Sequence, residues 1–235
     1  MAKRRPLTGM TQSERLLGGV LLLLYLVVLP LTADRAFGLV EQLMGWELGE
    51  DVRNAAYYYV LFALTVLVFG SFLARATRDF LSRIWSVLGS ACLGLVAFFG
   101  LGELSARVLG LVLTEQANLN DAAISAKVGA APYSTAVIVV LLAPFVEETL
   151  FRGYLFGNIR EFSRPAAYAA SSLLFALLHV WQFAAVNHSW TYLLQMLQYL
   201  VPGLVMAWTY ERSGTLWGSV LLHAAVNGLA VAALL

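Results

Sequence analysis

Charged residues are scarce in this sequence. Asp, Glu, Lys and Arg supply 12% of its 235 residues, about half the ~25% of an ordinary soluble domain. Hydrophobic residues make up 60%. This imbalance excludes a soluble globular fold and predicts an integral membrane protein with little mass outside the bilayer. A net charge of +1 leaves no bulk field to attract nucleic acid, so the cluster Lys3, Arg4 and Arg5 reads as a topology signal. Cysteine is nearly absent as well. The one cysteine, Cys92, lies in an apolar run, which excludes an intrachain disulfide and gives no reason to expect a thiolate site. No internal repeat, low-complexity tract or His-Glu-x-x-His helix is present.

Apolar runs fill most of the chain. Seven segments approach the ~20 residues that a helix needs to cross a bilayer: 16–33, 55–74, 84–101, 134–151, 165–183, 190–210 and 215–235. The third is expected to continue as helix to about Leu113 and the fourth to about Arg160, and 115–133 is the most loop-like stretch. The run Leu16 to Ala33 follows basic residues as a signal peptide would. It is long for such a peptide, and Leu31 suits a cleavage site poorly. It therefore reads as a first span. The expected fold is all-α: a polytopic membrane helix bundle of about seven spans, forming one domain over 1–235 with a basic tail at 1–15.

Basic residues set the expected orientation. With the N-terminus in the cytoplasm, four of the 15 Lys and Arg fall outside, namely Arg35, Arg53, Arg107 and Lys127, and the other 11 inside. That asymmetry favours this topology. Tyr57–Tyr59, Trp181 and Trp190 then sit near outer ends, and Trp208, Tyr210 and Trp217 near inner ends, as aromatic belts do. If the source is prokaryotic, the membrane is the plasma membrane.

Within these runs a few polar residues stand out. Glu147 and Glu148 end a membrane-length apolar run, where a carboxylate costs ~2.5–3.5 kcal/mol at a helix centre even on lenient scales. Glu148 and Arg152 are spaced i,i+4, as are Phe175 and His179, and His223 and Asn227. On a helix each pair shares a face. Glu148 and Arg152 can thus form an intrahelical ion pair. Glu147, rotated ~100° from Glu148, is left free to face the bundle interior. Glu147 lies 16 residues before Ser163 and His179 lies 16 after it. Two antiparallel helices turning there would bring carboxylate and imidazole level.

Such a set suits hydrolysis. A glutamate beside a histidine can take a proton from water and pass it on. A second histidine and an asparagine amide can hold a developing oxyanion. No serine or cysteine carries a nucleophile signature, and Ser171 and Ser172 read as small-residue helix contacts. Glu103 and Arg107, also i,i+4, read as a structural pair, and His188 as a solvated loop residue.

The three motifs Glu147-Glu148-x-x-x-Arg152, Phe175-x-x-x-His179 and His223-x-x-x-Asn227, in this order and each in an apolar run, resemble those of the CPBP family of intramembrane proteases. That family includes the type II CAAX prenyl endopeptidases and bacteriocin-processing relatives. The resemblance covers 134–235. It implies that Glu147 and His179 activate water, that His223 and Asn227 stabilise the oxyanion, and that Glu148 and Arg152, with Phe175 packed beside His179, shape the site. Relatives often carry another helix after the last motif, where eight residues follow Asn227 here. The implied substrate is a membrane-associated peptide or protein, with the lipid bilayer as the other partner and no nucleic acid. No cofactor is required by this reading. Two histidines and a glutamate could alternatively ligate a divalent metal such as zinc. The same buried polar residues could also serve a non-catalytic scaffold or a transporter.

Overall fold

A computed structural model describes residues 9–111, 118–188 and 190–235. Lys3, Arg4, Arg5 and Leu113 lie outside the described residues. The described chain is helical, with no strand among these residues. Helix α1 spans Gln12–Met44, α2 Glu50–Val68, α3 Gly70–Ser82, α4 Ile84–Gly110, α5 Leu119–Ala130 and α6 Pro132–Arg160. Helix α7 spans Arg164–Leu178, α8 Trp181–Val186, α9 Met196–Ser213 and α10 Leu216–Ala232.

Helices lie at all seven expected places, but they differ in kind. Among the described residues, α1, α4 and α6 are long and apolar enough to cross a membrane unaided. The pair α2–α3 can cross only as one span bent by 85°. Helices α7 and α10 are apolar but only 15 and 17 residues long. The chain is thus a multi-pass membrane protein built from full-length, bent and short helices. Two local expectations need correction. The stretch taken as loop-like carries α5, started by Asn118, whose side-chain oxygen accepts the backbone N–H groups of Asn120 and Asp121. The span expected over 165–183 is interrupted, with α7 ending at Leu178 and His179 forming its cap.

The bend between α2 and α3 has a definite cause. A helix start leaves backbone N–H groups without intrahelical partners. Here the carboxylate of Glu14, reaching from α1, accepts the Phe72 N–H at 2.6 Å. It also closes a capping box with Thr11. The positive end of α3 favours that anion. The Phe72 ring then lies against Gly153 of α6, where an added Cβ would come within 2.8 Å of it.

Helix α6 is the centre of the bundle. In its most apolar window 67% of residues are buried, against 22% in α1 and 17% in α4. Val146, Leu150, Phe151 and Phe156 are fully buried there. Burial of side chains that size contributes roughly 1.5–3 kcal/mol each. Close packing of α7 on α9 depends on Gly203, since a Cβ at that position would sit 3.1 Å from the backbone of Ser172. Ser171 beside it donates to the Phe151 carbonyl at 3.0 Å. Both serines thus act as helix contacts. Glu103 and Arg107 pair at 2.8 Å on an exposed face of α4.

Candidate active site

Helix α6 is not a regular α-helix throughout. It loosens into π-helical turns at Ile138–Leu142 and Thr149–Phe156, on either side of Glu147 and Glu148. Such turns recur at functional sites. The first is coupled to Pro144. The Ala143 N–H bonds back five residues to the Ile138 carbonyl. Continuing that pattern, the Val139 carbonyl would need an N–H from residue 144, which is a proline and has none. The Asn227 side chain supplies the missing donor from α10, its Nδ2 reaching the Val139 oxygen at 2.8 Å.

Glu148 and Arg152 are both fully buried and pair at 2.8 Å, acid one turn before base. Arg152 also donates to the Gly203 carbonyl on α9 at 3.1 Å, and its guanidinium lies 4.3 Å over the Phe175 ring on α7. The same Glu148 oxygen that takes Arg152 faces Nδ1 of His223 on α10 at 3.0 Å. One ion pair therefore ties four helices together. Removing one member of a buried pair costs about 3–5 kcal/mol, because the other is left charged in a dry setting. Glu148→Gln is accordingly expected to lower stability by about that amount, read as a drop in unfolding temperature in detergent. Unchanged stability in this variant would contradict the structural role.

Phe175 is the floor of the site. Its ring lies 4.6 Å from the His179 ring, 5.9 Å from the His223 ring and 5.6 Å edge-on from Phe151. Its carbonyl would ordinarily pair with the His179 N–H, but that N–H turns to the Ala176 carbonyl as α7 ends. The freed Phe175 carbonyl is instead met by His179 Nδ1 at 2.9 Å. A carbonyl only accepts, so Nδ1 carries the proton and neutral His179 keeps its lone pair on Nε2. The His179 ring stacks on Tyr199 of α9, with centroids 4.5 Å apart. The Tyr199 hydroxyl donates to Asn118 at the start of α5, at 2.7 Å. Helix end, stacking and backbone bond together hold the imidazole.

Glu147 is buried, at 6% exposure. It is near enough to His179 and Arg152 for their charges to interact. Its Oε1 accepts a hydrogen bond from the Tyr25 hydroxyl of α1 at 2.9 Å. Tyr25 and Tyr199 are absent from the motifs. The signal for Tyr25 was a lone phenol inside the apolar run of α1, since a buried Tyr hydroxyl usually has a hydrogen-bond partner. As for a metal, among the described residues no three His, Cys, Asp or Glu side chains are grouped so as to hold one ion.

The family model described as type II CAAX prenyl endopeptidase Rce1-like matches residues 129–229. The UPF0177 protein YxdF of Lactococcus lactis subsp. lactis (strain IL1403) is 33% identical over 90 residues, which are 38% of this chain and 44% of that protein. The match thus spans less than half the length of this curated relative. No solved structure matches the chain. Both findings agree with the motif resemblance, and the residues gathered on Phe175 all come from the matched stretch. Over residues 129–229, this chain is similar to the Rce1-like family of type II CAAX prenyl endopeptidases, in keeping with the CPBP resemblance of its motifs.

Proposed function

We propose that this protein is an intramembrane endopeptidase, hydrolysing a peptide bond in a membrane-associated protein or peptide with a water activated by Glu147 and His179. The observation that carries this reading is a buried carboxylate, Glu147, within electrostatic reach of a histidine held in one tautomer. The basic nitrogen of His179 is kept free by the Phe175 carbonyl. Glu147 takes a proton from water as the water oxygen attacks the scissile carbonyl carbon. Asn227 donates to the oxygen that becomes negative, as does Nε2 of His223 in its imidazolium form, with Nδ1 held on Glu148. Collapse of the tetrahedral intermediate breaks the C–N bond, and the proton taken from water goes to the leaving nitrogen. Glu148 and Arg152 hold His223 and Phe175 in place. The chain runs N-terminus in, with peptide and lipid as its partners.

Comparative peptidomics of membranes carrying the wild-type chain or Glu147→Ala tests this reading. A defined set of fragments should vanish in the variant while their precursors accumulate. Identical peptide sets would sink the proposal and favour a scaffold or transporter. The mechanism uses no metal. Processing should survive exhaustive chelation, and no stoichiometric metal should copurify. Zinc at one per chain, with activity restored when it is added back, would overturn the glutamate–histidine mechanism.

A further inference from the structure

The family match begins at residue 129, yet one residue touching Glu147 comes from far outside it. Tyr25 sits in α1, a helix whose apolar window is only 22% buried. It is itself 4% exposed, one of the few α1 side chains turned fully inward. It lies in a π-helical turn, Leu24–Val28. Its hydroxyl donates to Glu147 Oε1 across 122 positions of sequence at 2.9 Å. We propose that Tyr25 is a positioning residue for the proton acceptor, its hydroxyl fixing Oε1 of Glu147 so that Oε2 is the oxygen presented to water.

This rests on the reading of Glu147 as the group that takes the proton. The chemistry is specific to a hydroxyl. A phenol has one hydrogen to give. By giving it to Oε1 it locks the carboxylate rotamer. Other groups face Glu147 too. Tyr57 and Tyr58 approach from α2, His179 from α7, and Glu148 and Arg152 belong to its own helix. On α10, His223 is turned to Glu148. Among them, Tyr25 is the partner bonded to Glu147 through a side-chain hydroxyl. Helix α1 thus contributes to the site as well as to anchoring. The first helix and the matched segment meet at this bond.

Tyr25→Phe tests the proposal, because it removes the hydroxyl and keeps the ring. Two readings are taken, the first on protein in nanodiscs and the second in isolated membranes. The first needs no substrate. In protein labelled with carbon-13 at glutamate carboxyls, the Glu147 carboxylate stretch is the infrared band lost in Glu147→Gln. That band should shift in Tyr25→Phe and stay in place in Tyr210→Phe, which removes a buried hydroxyl elsewhere. The second is the initial rate at which Glu147-dependent peptides appear in isolated membranes. Tyr25→Phe should slow it roughly tenfold, the lower end of what a hydrogen bond to a charged group is worth. A purely packing role would leave the band unmoved, and an unmoved band overturns the proposal. Failure of the underlying reading looks different, since Glu147→Gln would then process peptides normally.

Discussion

Glu147→Gln is expected to abolish processing while the protein still folds. The amide is nearly the size of the carboxylate, and its oxygen can still accept from Tyr25, so the packing around 6% exposed Glu147 should survive. It cannot take a proton from water at neutral pH. Losing a positioned acid–base group costs roughly 10²–10⁴-fold in rate, and with no serine or cysteine nucleophile to substitute, the upper part of that range is expected. The measurement is the rate of release of Glu147-dependent membrane peptides, alongside unfolding temperature in the same detergent. Glu148→Gln gives the contrasting pattern, a large loss of stability with activity lost mainly through the fold. Equal activity loss with equal unfolding in both variants would show that the adjacent glutamates share one structural role.

That contrast was legible in the sequence because it is local. The i,i+4 spacing of Glu148 and Arg152 fixes a shared helix face whatever the rest of the fold does, and the pair forms at 2.8 Å. The same logic placed Phe175 beside His179. Contacts between helices were legible only where chain length constrains them. The turn near Ser163 brings Glu147 and His179 within electrostatic reach, but nothing local links Tyr25 to Glu147. The start of α5 was legible and missed, since Asn118 followed by Asp121 is an ordinary helix start. The bend at Phe69 was not, because the carboxylate that caps α3 comes from α1.

The hardest part to foresee was the backbone of α6. Periodicity assigns a helix but not a change of register within it. Pro144 announces a missing N–H, yet which carbonyl is stranded depends on whether the preceding turn is α or π. In this chain it is Val139, and the stranded carbonyl is matched by Asn227. Asn227, expected as an oxyanion donor, forms a clamp between α6 and α10. The two roles are compatible, because the amide nitrogen carries two hydrogens and only one is needed at Val139.

Asn227→Ala therefore carries two separable effects. Loss of the clamp leaves a partly buried carbonyl unpaired, a cost of about 1–3 kcal/mol in stability. Loss of an oxyanion donor slows chemistry by ~10²–10³ in turnover, and it should fall on kcat with KM nearly unchanged. Pro144→Ala separates them, because it returns a backbone N–H to the stretch of α6 where the carbonyl is stranded. In the double variant Pro144→Ala/Asn227→Ala the unfolding temperature should recover while turnover stays low. Asn227→Asp should be at least as damaging to turnover as alanine, since a carboxylate repels the developing charge and cannot donate to Val139. If the double variant regains activity together with stability, Asn227 acts through the helix clamp and has no part in holding the oxyanion.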